Sequence, residues 1–283
     1  MKRQSRFTPI AGTRKRRSPI IRALIVSRTA WLVVLACLCA AAPARADYPV
    51  APDVVVFCEP TLQHALTDVG GLWHSQTGVH VRVFTSPTWA LLGQIAHHAR
   101  DDVLIGEGDA NAAAAKNQQL IKPDTLQPLG RNRLVVAALS APAGATAAPD
   151  DGGSLAAIAG KEPVAIVDPW AAAAGADSKQ VLQSLGLWQK VSAKSIGVIG
   201  TADAAYLLTH GKVRLAILYA TDVAADPALT TAGQLPAASY QPVVYWVAET
   251  AHALSPNSMK FTDFLRTAPA RERLRADGLE ITP

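Results

Sequence analysis

A chain of 283 residues with 49% hydrophobic content is long enough to bury one or two cores. Its formal net charge of +5 comes from one segment: the first 46 residues hold ten Lys and Arg, from Lys2 to Arg45, and no acid. Without that segment the charge becomes −5, and no basic stripe interleaved with aromatics remains. Nucleic acid is therefore excluded as a partner.

The basic segment runs into an apolar stretch from Ala30 to Ala42 and then Pro43-Ala44-Arg45-Ala46, an A-x-A cleavage pattern. It reads as an export signal cut after Ala46, which places the mature protein in the periplasm. A retained membrane anchor would want about 18 or more continuous apolar residues, and this run is shorter. Val34-Leu35-Ala36-Cys37 offers a lipid-attachment alternative, with Leu poorly placed before the small residue. Arg16-Arg17 lies too far ahead of the apolar core for a twin-arginine signal. Cys37 and Cys39 leave with the leader, so Cys58 has no partner for an intramolecular disulfide.

In the mature chain, Val54-Val55-Val56-Phe57 reads as a buried parallel strand. Leu62, Ala65, Leu66, Val69, Leu72 and Trp73 then share one helical face, with Thr61 as the expected N-cap and Gly70-Gly71 weakening the helix without ending it. Val79 to Phe84 alternates like a strand, Ser86-Pro87-Thr88 turns, and Leu91, Leu92 and Ile95 mark a second helix. Further strands are expected at Asp102–Ile105, Arg133–Leu139, Val164–Val167, Ser195–Ile199, Leu215–Tyr219 and Pro242–Val247. Helices are expected near Lys179–Leu185, Thr201–His210, Ser258–Leu265 and Ala268–Arg275. Ala141 to Gly153, rich in Pro, Gly and Ala, reads as a surface connection. This alternation predicts parallel α/β sheets, with a ligand at the edge where strand C-termini meet helix N-termini.

Two strand ends are each followed by a hydroxyl residue at a helix start: Phe57-Cys58-Glu59-Pro60-Thr61 and Phe84-Thr85-Ser86-Pro87-Thr88. Helix N-termini carry unsatisfied N–H groups and partial positive charge, so two facing each other can hold an anion without Lys or Arg. The plainer reading is that Thr61 and Thr88 only cap their own helices.

Along almost the whole mature length, ordered motifs resemble the molybdate-binding proteins of ABC transporters. They are Val56-Phe57-x-x-x-Thr61-Leu62, Thr77-Gly78-Val79-x-Val81, Gln94-Ile95, Asp102-Val103, Arg131-Asn132-Arg133-Leu134-Val135-Val136, Asp168-Pro169 with Gly175, Leu185-Gly186-Leu187-Trp188, Leu218-Tyr219-Ala220-Thr221-Asp222 and Pro242-Val243-Val244-Tyr245. The resemblance implies a type II periplasmic-binding fold, two α/β lobes joined by crossing hinge strands: residues 47–133 with 244–283, and 134–243. It implies a solute-binding protein, not an enzyme, that is monomeric, needs no cofactor, and delivers molybdate or tungstate to an inner-membrane ABC permease. The family's two serine ligands fall on Thr61 and Thr88, its amide ligands on Ala174 and Thr201, and its tyrosine on Tyr219.

Three departures stand out: both serines are threonines, Glu59 replaces a small residue, and Gly106-Glu107-Gly108-Asp109-Ala110-Asn111 replaces the family's stretch with a Trp-Met pair. They leave room for another oxyanion or a small organic acid. A hydrolase using Cys58 is a third alternative. His97-His98 is read as a solvated helix end, Glu107 and Asp109 as loop charge, and Trp89 and Trp170 as packing near the cleft turns.

Overall fold

The computed structural model describes residues 53–140, 158 and 160–281. The expectations for the leader, its cleavage, Cys37 and Cys39, and the connection at 141–153 lie outside these residues. No helix among the described residues is long and apolar enough to cross a membrane.

In chain order the first half runs β1 (Val54–Cys58), α1 (Gln63–Thr77), β2 (Val81–Thr85), α2 (Thr88–Ala96), β3 (Val103–Glu107), α3 (Asp109–Asn117), β4 (Gln127–Asn132) and β5 (Leu134–Leu139). After it come β6 (Val164–Val167), α4 (Ala173–Ser184), α5 (Trp188–Ser192), β7 (Ile196–Val198), α6 (Thr201–Thr209), β8 (Leu215–Tyr219), α7 (Ala220–Ala225) and β9 (Leu229–Gln234). The chain closes with β10 (Val243–Glu249), α8 (Ser258–Phe264) and α9 (Ala268–Ala276).

These strands form two five-stranded sheets, ordered β2-β1-β3-β10-β4 and β7-β6-β8-β5-β9. β1 lies parallel to β2 and β3, and β6 parallel to β7 and β8. β10 runs antiparallel to β3 and β4, and β5 antiparallel to β8 and β9. The sheets are therefore mixed, which corrects the purely parallel expectation. The chain passes from the first sheet to the second through Arg133 alone, so no crossover helix reverses its direction before β5. It returns between Gln234 and Val243.

Each fully buried strand serves two layers. Val54, Val56 and Cys58 pack with Leu62, Leu66, Val69 and Trp73, and with Phe261, Phe264 and Leu274 of the C-terminal helices. Val55 and Phe57 face the other way, onto Leu91, Leu92, Ile95 and Ala115. Burying each such side chain contributes about 1.5–3 kcal/mol, which explains why the strand reads as an unbroken apolar run. Gly70 keeps α1 close to β2, since a Cβ there would lie 3.0 Å from Val81 Cβ.

Several elements differ from their sequence signals. Thr61 sits in a 3₁₀ turn (Pro60–Leu62) and caps nothing; α1 begins two residues later with Leu62 at its N-cap. Thr88 is the first residue of α2, after Pro87, because proline presets the backbone just before a helix. β4 is hidden by Pro128 and Gly130, which read as turn residues; Pro128 lies opposite Trp246, next to a register shift in β10. α3 forms where a charged loop was expected: its alanines favour helix, and only Ala115 is buried, so it has no apolar period.

Candidate functional site

The C-terminal ends of β1, β3 and β8 and the starts of α2, α4 and α6 surround one cavity of about 270 Å³. All five residues singled out from sequence line it: Thr61, Thr88, Ala174, Thr201 and Tyr219. Trp89 lines it too and is 73% exposed, whereas Trp170, 93% exposed, stands outside the lining.

Three helix starts face this space. Thr88, Ala174 and Thr201 lie in first turns, where backbone N–H groups have no intrahelical acceptor. α4 is held close by Gly175: a Cβ there would come within 2.3 Å of the Asp168 carbonyl oxygen, so only glycine lets that helix start reach the end of β6. α6 is fixed by Thr201 Oγ1 donating to Asp222 Oδ1 (3.0 Å), while Asp222 Oδ2 accepts the Tyr219 N–H (3.0 Å). Burial pushes the Asp222 carboxyl up to about 6, against the pull of those two bonds.

The hydroxyls are already engaged. Thr61 Oγ1 pairs with the Tyr245 hydroxyl at 2.8 Å, and Asn132 Nδ2 donates to that same hydroxyl (3.3 Å) and to Thr221 Oγ1 (2.8 Å). Thr88 is only 1% exposed; its backbone N–H donates to Glu59 Oε1 at 2.5 Å, and its hydroxyl donates to the same oxygen. Thr88 Oγ1 also accepts the Glu107 N–H (2.9 Å). The Tyr219 hydroxyl donates to Asp177 Oδ2 at 2.8 Å.

Carboxyls therefore surround the cavity. Glu59 and Glu107 line it, and Asp177 stands behind Tyr219. Among the described residues, no Lys, Arg or His lines it. Burial, then the charges of Glu59 and Asp177, push Glu107 up to about 8. Burial raises Glu59, opposed by its bonds from Thr88, and raises Asp177, opposed by its bond from Tyr219. Sequence reading missed Asp177 and Tyr245 as parts of the site and took Glu107 for loop charge. The signal available for Glu107 was its place at the end of a strand, on the sheet edge where ligands bind.

Cys58 is fully buried and absent from the lining, and burial followed by the charge of Glu59 drives its thiol far up. The hydrolase alternative loses its nucleophile, since a thiolate is what attacks. His97 and His98 end α2 away from the cavity. The one metal-ligand-like cluster among the described residues, His64, Asp68 and Asp277, is elsewhere, and Arg273 already bonds both of its acids.

The sequence profile described as bacterial extracellular solute-binding protein matches residues 54–280. The chain belongs to this family. It is 26% identical over 228 residues to the molybdate-binding protein ModA of Escherichia coli (strain K12), covering 81% of this chain and 89% of that one. The periplasmic molybdate-binding protein of Azotobacter vinelandii superposes with a TM-score of 0.67 at 21% identity, over 81% of this chain and all of the other. A substrate-binding domain from Clostridium difficile gives 0.67 at 17% identity, over 82% and 99%. The fold is the two-lobed, type II periplasmic-binding fold, and the cavity lies where its two sheets meet. A place outside the cytoplasm follows from the family.

Proposed function

We propose that this solute-binding protein captures a small oxyanion, molybdate or tungstate, between its lobes and delivers it to an inner-membrane ABC permease. One observation carries the reading: Thr61, Thr88, Ala174, Thr201 and Tyr219, drawn from both sheets, converge on a single cavity into which three helix starts point. Fixed N–H and O–H donors in a largely dry cleft suit a tetrahedral anion. The relatives named for molybdate support the choice of ion.

The rest of the proposal concerns the whole chain. The leader is cut after Ala46, and residues 47–133 with 244–283 make one lobe and 134–243 the other. The protein works as a monomer, binds no nucleic acid, and catalyses no reaction.

The carboxyls favour a second reading, a cationic solute. Two unit charges about 4 Å apart in surroundings of effective dielectric near 20 interact by about 4 kcal/mol, so an ionised Glu59 or Glu107 opposes a dianion and attracts a cation. Thermal melting with molybdate, tungstate, sulfate, phosphate and a simple organic ammonium separates the two. A ligand bound only by the folded state at about 1,000 times its Kd adds about 4 kcal/mol of stability. A rise with molybdate or tungstate is expected; a rise with the ammonium alone refutes the oxyanion assignment.

A further inference from the structure

Two of the residues expected to hold an oxyanion, Thr88 and Tyr219, are in this structure already donating to carboxyl groups. Glu59 Oε1 takes both donors of Thr88, the backbone N–H and the hydroxyl. Asp177 Oδ2 takes the Tyr219 hydroxyl. The Glu107 carboxyl lines the same cavity and has no hydrogen-bond partner among the described residues. The helix starts of α4 and α6 also bring first-turn N–H groups to the cavity, where no intrahelical acceptor takes them.

We propose that Glu59, Glu107 and Asp177 are the specificity-determining residues of the cleft, which accepts an oxyanion only together with protons that turn these acceptors into donors. The inference rests on the oxyanion reading above. The protonated Glu59 keeps the Thr88 donors on one oxygen and presents an O–H from the other. A protonated Asp177 donates to the Tyr219 oxygen and frees the tyrosine O–H to turn toward the ligand. Glu107 donates directly. The protons come from solvent or arrive on the anion, and in either case none is created or lost.

The neighbours on every side support this. Glu59 is faced by Thr88 of α2, Glu107 of β3, the Cys58 thiol and Tyr245 of β10. Glu107 is faced by Glu59, Asp177, Tyr219 and Tyr245. Asp177 is faced by Tyr219, Glu107 and Tyr240. None of these neighbours is a cation that would hold the carboxyls ionised. Lys179, also on α4, has its Nζ over the Trp170 and Trp188 rings at 5.8 and 5.6 Å, outside the lining.

The sign follows from linkage. The carboxyls hold protons in the complex and titrate in the free protein, so affinity is full below the free-protein pKa and falls as pH rises through it. With Glu107 at about 8 in the free protein, that one group weakens binding roughly tenfold between about pH 6 and about pH 9.

The test is calorimetric titration of the purified periplasmic protein with molybdate across that range, in buffers of different ionisation enthalpy, so that bound protons are counted. Wild type is expected to take up protons and bind more weakly at the alkaline end, by roughly tenfold or more because Glu59 and Asp177 add to the loss from Glu107. Glu107→Gln, isosteric and always neutral, is expected to bind more tightly than wild type there and to flatten the profile. Asp177→Asn gives a second variant, and a melting curve checks that both are folded. Affinity that is independent of pH, or rises with it, with no proton uptake, overturns the inference and leaves the oxyanion reading standing. No molybdate heat from wild type or either folded variant at any pH overturns that reading, and the inference falls with it.

Discussion

Thr88 has three hydrogen-bonding roles at once: its N–H and hydroxyl serve Glu59, and its hydroxyl oxygen accepts from the Glu107 backbone. Thr88→Val keeps the shape but removes the hydroxyl, leaving the Glu107 N–H without its acceptor and Glu59 without one of the two bonds that orient it at the cleft. Molybdate affinity should fall by about 1–3 kcal/mol, read by titration calorimetry, with unchanged affinity meaning that the anion sits elsewhere. Cys58 is the contrast. Cys58→Ala should leave that affinity intact and lower the melting temperature, because the thiol fills core space and does not line the cleft. Affinity lost in a folded Cys58→Ala protein would return the thiol to the site.

At the scale of elements, strand ends and helix starts make the site, and the tightest join is α4 against β6. Gly175→Ala forces a methyl into the Asp168 carbonyl, so α4 must shift and carry the Ala174 N–H with it. The expected cost is about 1–3 kcal/mol of stability, together with loss of the molybdate-induced rise in melting temperature. A variant that melts and responds like wild type would show that α4 tolerates displacement. Asp102 has a comparable role in the other lobe, accepting from the backbone of Val55, Leu254 and Ser255 and so binding β1, β3 and the segment after β10.

Strands that are apolar throughout, such as Val164–Val167 and Leu215–Tyr219, were legible because burial on both faces leaves no other reading. β4 and α3 were not, since one contains Pro and Gly and the other has no apolar face to bury. The five cavity residues were legible through the motif order and the hydroxyl-before-helix pattern. Asp177 was not, because nothing in Gly175-Ala176-Asp177 says that its carboxyl reaches Tyr219, 42 residues further on.

For the whole molecule, buried acids set the response of stability to pH. Glu107 at about 8 and Asp101 and Asp222 at about 6 all lie above their unfolded values. The folded state therefore holds protons that the unfolded chain releases. Their contribution is complete below the unfolded carboxyl range and is lost as pH rises through about 6 and then about 8. Ligand-free protein should melt at a higher temperature near pH 5 than near pH 9, by on the order of a few kcal/mol of stability, and Glu107→Gln should remove part of the alkaline loss. A melting temperature that climbs steadily from pH 5 to pH 9 would contradict this.

The pairing of β10 between β3 and β4 has a consequence for the order in which the molecule can be built. β3 has no neighbour on one side, and β4 none on that side either, until a strand more than a hundred residues later has been made. A chain emerging from the ribosome amino end first therefore cannot complete its first sheet early. Closing so long a loop is slow, and until then the nascent chain stays open. Under the export proposed above, that delay would keep the chain in a form a translocation channel can pass.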